Sequence, residues 1–235
     1  MSTGILGLSV ADAPIAVIDF ETTGLSAGYD RVVEVSVVRV EEGGLKRTLV
    51  LDTLVNPRCR VSAKDIHGIT GSMVKNAPEF RDVWPALRAA LAGCVVAAYN
   101  AYFDIRFLTA EALRAGEDVR LPYFCLMYIR PLIGVGERCQ LSVACQGQGI
   151  RQKAAHRSAR DAMATAELIP GYIQAMRANG LNAYQALRRA GSHKYLQSFA
   201  LQPLTAQCPQ RHCEFLPRER AHSRVPSLFE SLGIT

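Results

Sequence analysis

Two carboxylates, Asp19 and Glu21, stand one residue apart in the stretch IAVIDFETTG, residues 15–24. The run Ile15-Ala16-Val17-Ile18 ahead of them has the apolar continuity of a buried strand. Side chains on a strand alternate faces, so both acids project to the same side of a sheet. A like-charge pair ~4 Å apart at an effective dielectric near 20 costs about 4 kcal/mol. A hard divalent cation turns that repulsion into binding, because such ions prefer carboxylate oxygens. The alternative is one acid solvated past the strand end and the other capping a turn made by Thr22-Thr23-Gly24. Further candidates lie far away in sequence: Asp104 in NAYFD, and His156 with Asp161 in HRSARD. A histidine on an entering loop and an aspartate on the first turns of the next helix can reach one site.

These residues need a scaffold, and the intervening chain predicts one. Arg31–Val40 is a valine-rich run suited to a second strand, and Glu41-Glu42-Gly43-Gly44 reads as a turn. Leu45–Asn56 is expected to be a third strand ended by Pro57, which completes an antiparallel meander. Glu34 inside the second strand could be offered as another metal ligand, but is expected to be a hydrogen-bonded structural carboxylate, since its strand has no second acid on that face. Ser62–Thr70 reads as a short helix or turn closed at Gly68. Pro78–Leu91 places Phe80, Val83, Trp84, Leu87 and Leu91 at helical spacing, with Pro85 expected to kink the helix or mark its start. Cys94–Ala98 is a brief buried strand leading to a helix that carries Asp104 in its first turn, where the macrodipole favours an acid. Leu121–Ile129 reads as a further strand, Cys139–Gly147 as a short helix, and Ala159–Ile169 as a longer one halted by Pro170-Gly171. The order βββαβαβα describes a mixed sheet with helices packed on it.

Composition bounds the class. The 235 residues are 49% hydrophobic and 20% charged, enough for a sizeable core. The net charge of +6 suits a polyanionic partner, as it does many unrelated enzymes. No secretory signal is read at the start, and no apolar run is long enough to span a bilayer. Seven cysteines without framework spacing fit reduced thiols in a cytoplasmic protein. From Gly191 the apolar periodicity fades while Arg211, Arg218, Arg220 and Arg224 accumulate among prolines. The expected division is a lead over 1–14, one catalytic domain over 15–190, and a loosely ordered basic extension over 191–235.

Asp19, Glu21, Asp104, His156 and Asp161, with the strings TLVNP, IHGIT and NAYFD between them, resemble the DEDDh superfamily of 3′–5′ exonucleases, in its DnaQ-like proofreading group. The resemblance covers about Ile15 to Ile173. It implies a ribonuclease-H-like α/β fold, an antiparallel three-strand meander plus parallel strands flanked by helices. It also implies that Asp19, Glu21, Asp104 and Asp161 are metal ligands, with His156 as general base. Two divalent cations, Mg²⁺ or Mn²⁺, ~3.5–4 Å apart would clamp the scissile phosphate. The implied reaction frees nucleoside 5′-monophosphates one at a time from nucleic acid 3′ ends, with single-stranded DNA favoured. RNA 3′-end trimming by the same chemistry, or a non-catalytic nucleic-acid-binding module of a polymerase or nuclease complex, are the rival readings. Family patterning places Thr22, Thr23, Leu25 and His67 beside the terminal nucleotide; shaping their turns is the alternative. Two departures stand out: Tyr99 where many relatives carry histidine, and the stretch Leu126–Gly136 where a more basic segment is common.

The tail offers two weaker signals. Cys208, His212, Cys213 and His222 match no tight zinc spacing. Ser227-Leu228-Phe229 loosely resembles the short apolar peptide with which bacterial replication proteins dock on a sliding clamp, which would make a clamp or polymerase a partner.

Overall fold

A computed structural model describes residues 7–151, 157–184 and 186. Five strands form one sheet: β1 (Ile15–Thr22), β2 (Val32–Glu41), β3 (Lys46–Leu54), β4 (Val95–Ala98) and β5 (Tyr123–Cys125), in the order β3-β2-β1-β4-β5. β1, β2 and β3 pair antiparallel as the expected meander, while β1–β4 and β4–β5 are parallel. The helices are α1 (Lys64–His67), α2 (Gly71–Val74), α3 (Phe80–Leu91), α4 (Ala101–Arg114), α5 (Leu126–Ile129), α6 (Leu141–Gly147) and α7 (Ser158–Ala178).

β1 lies at the centre and is buried on both faces, which explains why its apolar run is continuous rather than alternating. Ile15 and Val17 join Val38 and Val40 under α7, packed against Leu168, Ile169, Tyr172 and Ile173. Ala16, Ile18 and Phe20 face the opposite layer, where α3 and α4 supply Phe80, Trp84, Leu87, Ile105 and Leu108. Two packed layers on one sheet are the minimum that bury a two-sided strand.

Four sequence expectations are corrected. Pro85 does not mark the start of its helix: α3 begins at Phe80, where Glu79 and Asp82 form a reciprocal cap, and continues to Leu91. Pro170 does not halt α7, which runs on to Ala178. An interior proline costs about 3 kcal/mol, and burial of Leu168, Ile169, Tyr172, Ile173 and Met176 outweighs it. The ring of Pro170 lies against Gly44, where an added Cβ would meet its Cγ at 2.7 Å. The segment Leu121–Ile129 is a strand only over Tyr123–Cys125, after which the chain turns helical. The third strand is also shorter than expected, ending at Leu54. Among the described residues no helix is long and apolar enough to cross a membrane, and Cys59, Cys94, Cys125, Cys139 and Cys145 form no disulfide.

Candidate active site

The site is built where β1 outruns its parallel neighbour. β4 pairs with β1 only over Ile15–Val17, and the chain then leaves through Tyr99-Asn100 into α4. The amide of Phe20 therefore finds no strand on the β4 side; it donates instead to Oδ1 of Asp104, at 3.1 Å. That bond brings the first turn of α4 alongside Asp19. On the other side β1 and β2 pair Asp19 with Ser36 and Glu21 with Glu34, so all four share the face under α7. Asp161, in the first turn of α7 and 9% exposed, reaches the same point.

One carboxylate oxygen each from Asp19, Glu21 and Asp161 lies within 4.8 Å of the others. Burial, then Asp104, Asp161 and Glu21, hold the Asp19 carboxyl well above the usual carboxylate range. Glu21 is pushed up to about 8 by burial, Asp161, Glu34 and Asp104, with Arg157 pulling the other way. Asp104 is pushed up to about 7 by burial, against the backbone N–H groups of Phe20 and its own residue. Acids crowded this closely retain protons at neutral pH when nothing cationic lies among them. A donor set made only of carboxylate oxygens fits a hard divalent cation, which supplies the missing positive charge.

Beside the acids the chain makes a turn carrying Leu25, 83% exposed. Asp30 closes it, accepting from the Thr23 hydroxyl at 3.0 Å and from Ser26 N–H at 2.9 Å. Its carboxylate lies across Gly24, where an added Cβ would come within 2.5 Å. The Thr22 hydroxyl donates to Gly24 O, and the Thr23 hydroxyl also accepts Arg31 N–H. Both hydroxyls thus serve the turn. His67 accepts Ile69 N–H on Nδ1 at 3.0 Å, which leaves Nε2 as the protonated nitrogen facing Thr22 O at 3.2 Å. It ties α1 to the end of β1.

Asp19, Glu21, Asp104 and Asp161 are thus brought together, with Thr22, Thr23, Leu25 and His67 on the adjoining turn. His156 lies outside the described residues, as do Cys208, His212, Cys213, His222 and the segment 225–229. Glu34 is the hydrogen-bonded carboxylate that its lone position on β2 predicted. Tyr99, the first departure, donates from its hydroxyl to the carbonyls of Cys139 and Gln140 and so fastens the segment entering α6. In the second, Arg130 gathers the chain by donating to Val135 O, Glu137 O and the Tyr172 hydroxyl. Sequence reasoning missed Arg157, Ser158 and Ser36, which anchor α7 to β2. Their one visible signal was that Arg157 directly follows His156.

Similarity to known proteins matches this geometry. Residues 16–169 match the RNase T exonuclease family. A DNA polymerase III subunit epsilon-like protein of Rhodobacter capsulatus is 32% identical over 190 residues, 76% of this chain and 27% of that protein. A PolC-type DNA polymerase III of Thermotoga maritima is 28% identical over 181 residues, 76% of this chain and 13% of its own length. The chain therefore spans only about a quarter or less of the curated relatives it matches. Among solved structures, Exonuclease X in complex with 5′ overhanging duplex DNA is 27% identical with a TM-score of 0.58, covering 75% of this chain and 99% of that one. E. coli Exonuclease I with a dT13 oligonucleotide shares the fold at 15% identity and a TM-score of 0.63, covering 71% of this chain and 42% of that one. With its acids converging at the open end of a mixed sheet, the chain belongs to the RNase T family of exonucleases, in the DnaQ-like DEDDh group.

Proposed function

We propose that this chain is a divalent-cation-dependent 3′–5′ exonuclease that releases nucleoside 5′-monophosphates, with DNA as the favoured substrate. The observation that carries the reading is the meeting of Asp19, Glu21 and Asp161 within 4.8 Å, on elements far apart in sequence. Asp19, Glu21, Asp104 and Asp161 hold the cations, and Asp104 also fixes the end of β1 through Phe20 N–H. Two Mg²⁺ or Mn²⁺ ions held by these acids would supply charge stabilisation to the displacement at phosphorus. His156 takes the proton from the attacking water, a general-base role to which an imidazole is suited near neutral pH. Thr22, Thr23 and His67 hold the turn that presents Leu25 beside the terminal base.

The DNA preference is supported by the DNA polymerase names of the relatives and by the Exonuclease X complex with duplex DNA. RNA trimming shares every residue named above. A non-catalytic accessory role is disfavoured, because such a module has no need to keep mutually repelling acids. The exonuclease domain is taken as 15–190, with the basic segment 191–235 as an accessory.

The test is direct. Single- and double-stranded DNA and RNA labelled at the 5′ end are incubated with Mg²⁺, Mn²⁺ or chelator. A ladder shortening from the 3′ side with metal, greatest on DNA and absent in Asp19→Asn, is the expected result. Equal nucleotide release by wild type and Asp19→Asn would remove the mechanism, and a ladder on RNA alone would move the substrate.

A further inference from the structure

Glu34 stands directly opposite Glu21 in the β1–β2 ladder, on the face that bears the acids. It looks placed to be another ligand, yet both its oxygens are committed elsewhere. Oε1 accepts from Nε and Nη2 of Arg157 at 3.2 and 3.0 Å, and Oε2 accepts Ser158 N–H at 2.9 Å. The Glu34 side chain is 3% exposed and that of Arg157 47% exposed. Two residues along β2, the Ser36 hydroxyl meets the Ser158 hydroxyl at 2.6 Å and donates to Asp52 at 2.8 Å. The Ser158 hydroxyl is therefore the donor to Ser36.

The ties to Arg157 and Ser158 end on the start of α7, within one turn of Asp161. The Ser158 amide is among the first N–H groups of a helix, which have no partner inside it. Glu34 supplies that partner, and its negative charge suits the positive helix end. That charge also lies beside Asp19 and Glu21, where it adds to their repulsion. Arg157 answers on both counts, pairing with Glu34 and easing Glu21.

We propose that Glu34, Arg157 and Ser36 form a positioning clamp that sets the first turn of α7, and with it Asp161, against Asp19 and Glu21. The clamp touches neither cation nor substrate. It acts by holding a ligand at the right separation and by screening a buried carboxylate from the cluster. The inference rests on the reading of Asp19, Glu21 and Asp161 as cation ligands.

The experiment compares wild type, Arg157→Met, Arg157→Lys, Ser36→Ala, Glu34→Gln and the Glu34→Gln/Arg157→Met double variant on a 5′-labelled oligonucleotide. kcat, KM for DNA and the Mg²⁺ concentration giving half-maximal rate are read well below each variant's melting temperature. Groups that orient metal ligands from behind typically govern about 10- to 100-fold in metal affinity or activity. Arg157→Met is expected to lower kcat about tenfold and raise the Mg²⁺ midpoint by a similar factor, with KM for DNA within about twofold. Arg157→Lys recovers part of the loss. The double variant is no worse than the poorer single one, because the two residues act as a unit. Ser36→Ala moves the midpoint in the same direction by less. An unchanged kcat and midpoint in Arg157→Met overturns the clamp, as does a rise confined to KM for DNA, which would make Arg157 a substrate contact. Losses that multiply in the double variant also overturn it. A wild-type protein that frees no nucleotide under any metal would instead remove the exonuclease reading itself.

Discussion

Among the described residues, the acids near the end of β1 and the acid on α4 are treated oppositely. Glu111 on α4 is 1% exposed and saturated: Arg31 holds both its oxygens at 2.7 and 3.0 Å, Val32 N–H donates at 3.2 Å, and Arg114 lies at 3.4 Å. Asp19, Glu21 and Asp161 instead bring carboxylate oxygens within 4.8 Å of one another. A carboxylate surrounded by donors is part of the architecture, because its desolvation is offset by hydrogen bonds and opposite charge. A set that is buried and left mutually repelling destabilises the empty protein, and such a set makes sense only when a cation arrives. Arg31 carries the lesson further: Glu111 raises its pKa against the opposing effect of burial, whereas the β1 acids are pushed away from their charged form.

The contrast can be broken most severely at Asp19. Asp19→Asn should cut nucleotide release by about 10³-fold, ~4 kcal/mol of barrier, while leaving the chelated protein as stable as wild type or more so. Paired rate and melting measurements check both halves, and a large fall in stability would mean that Asp19 is architectural like Glu111. The mirror experiment is Glu111→Ala, which strands Arg31 and Arg114. Removing one partner from a buried pair costs 3–5 kcal/mol, and here about 3 because Arg31 reaches solvent. Chemical denaturation should show that loss with the Mg²⁺ midpoint unmoved.

The third prediction sharpens the electrostatic side. Glu21 is raised from 4.5 to about 8 and Asp104 from 3.8 to about 7, so the folded, metal-free protein binds more protons than the unfolded chain within those windows. Stability must then fall as pH rises through them. In chelator the melting temperature should drop by several degrees from the acid to the alkaline side, and saturating Mg²⁺ should erase the slope. A flat profile in chelator would show that the acids are already compensated. The smallest effect belongs to Leu25. Leu25→Ala should change stability by less than about 0.5 kcal/mol, since the side chain is 83% exposed, yet raise KM for a short oligonucleotide a few-fold.

Much of this was legible in the sequence because the cues are local. An apolar run ending in Asp-x-Glu specifies both a buried strand and which face its acids share, and the meander follows from β-branched runs separated by turn residues. What was not legible depends on residues distant in the chain. Pro85 reads as a kink or a start and Pro170 as a stop because propensity is local, whereas the packing that overrides it comes from the sheet. The apolar stretch 121–129 reads as one strand because periodicity cannot divide a continuous run. Glu34 was recognised as structural, but its partners, more than 120 residues on, could not be named without coordinates. The role of His156 still rests on its place in the sequence.

The contact between Gly44 and Pro170 has a consequence for the chemistry. The helix that Pro170 belongs to carries Asp161 in its first turn, nine residues or ~14 Å away along its axis. Gly44 also sits at φ +97°, where any side chain is strained. A single methyl group on the hairpin would press on the middle of that rod like a thumb on a lever. The far arm would swing at the acid cluster, so a lesson in active-site precision could be taught by a mutation that touches nothing reactive.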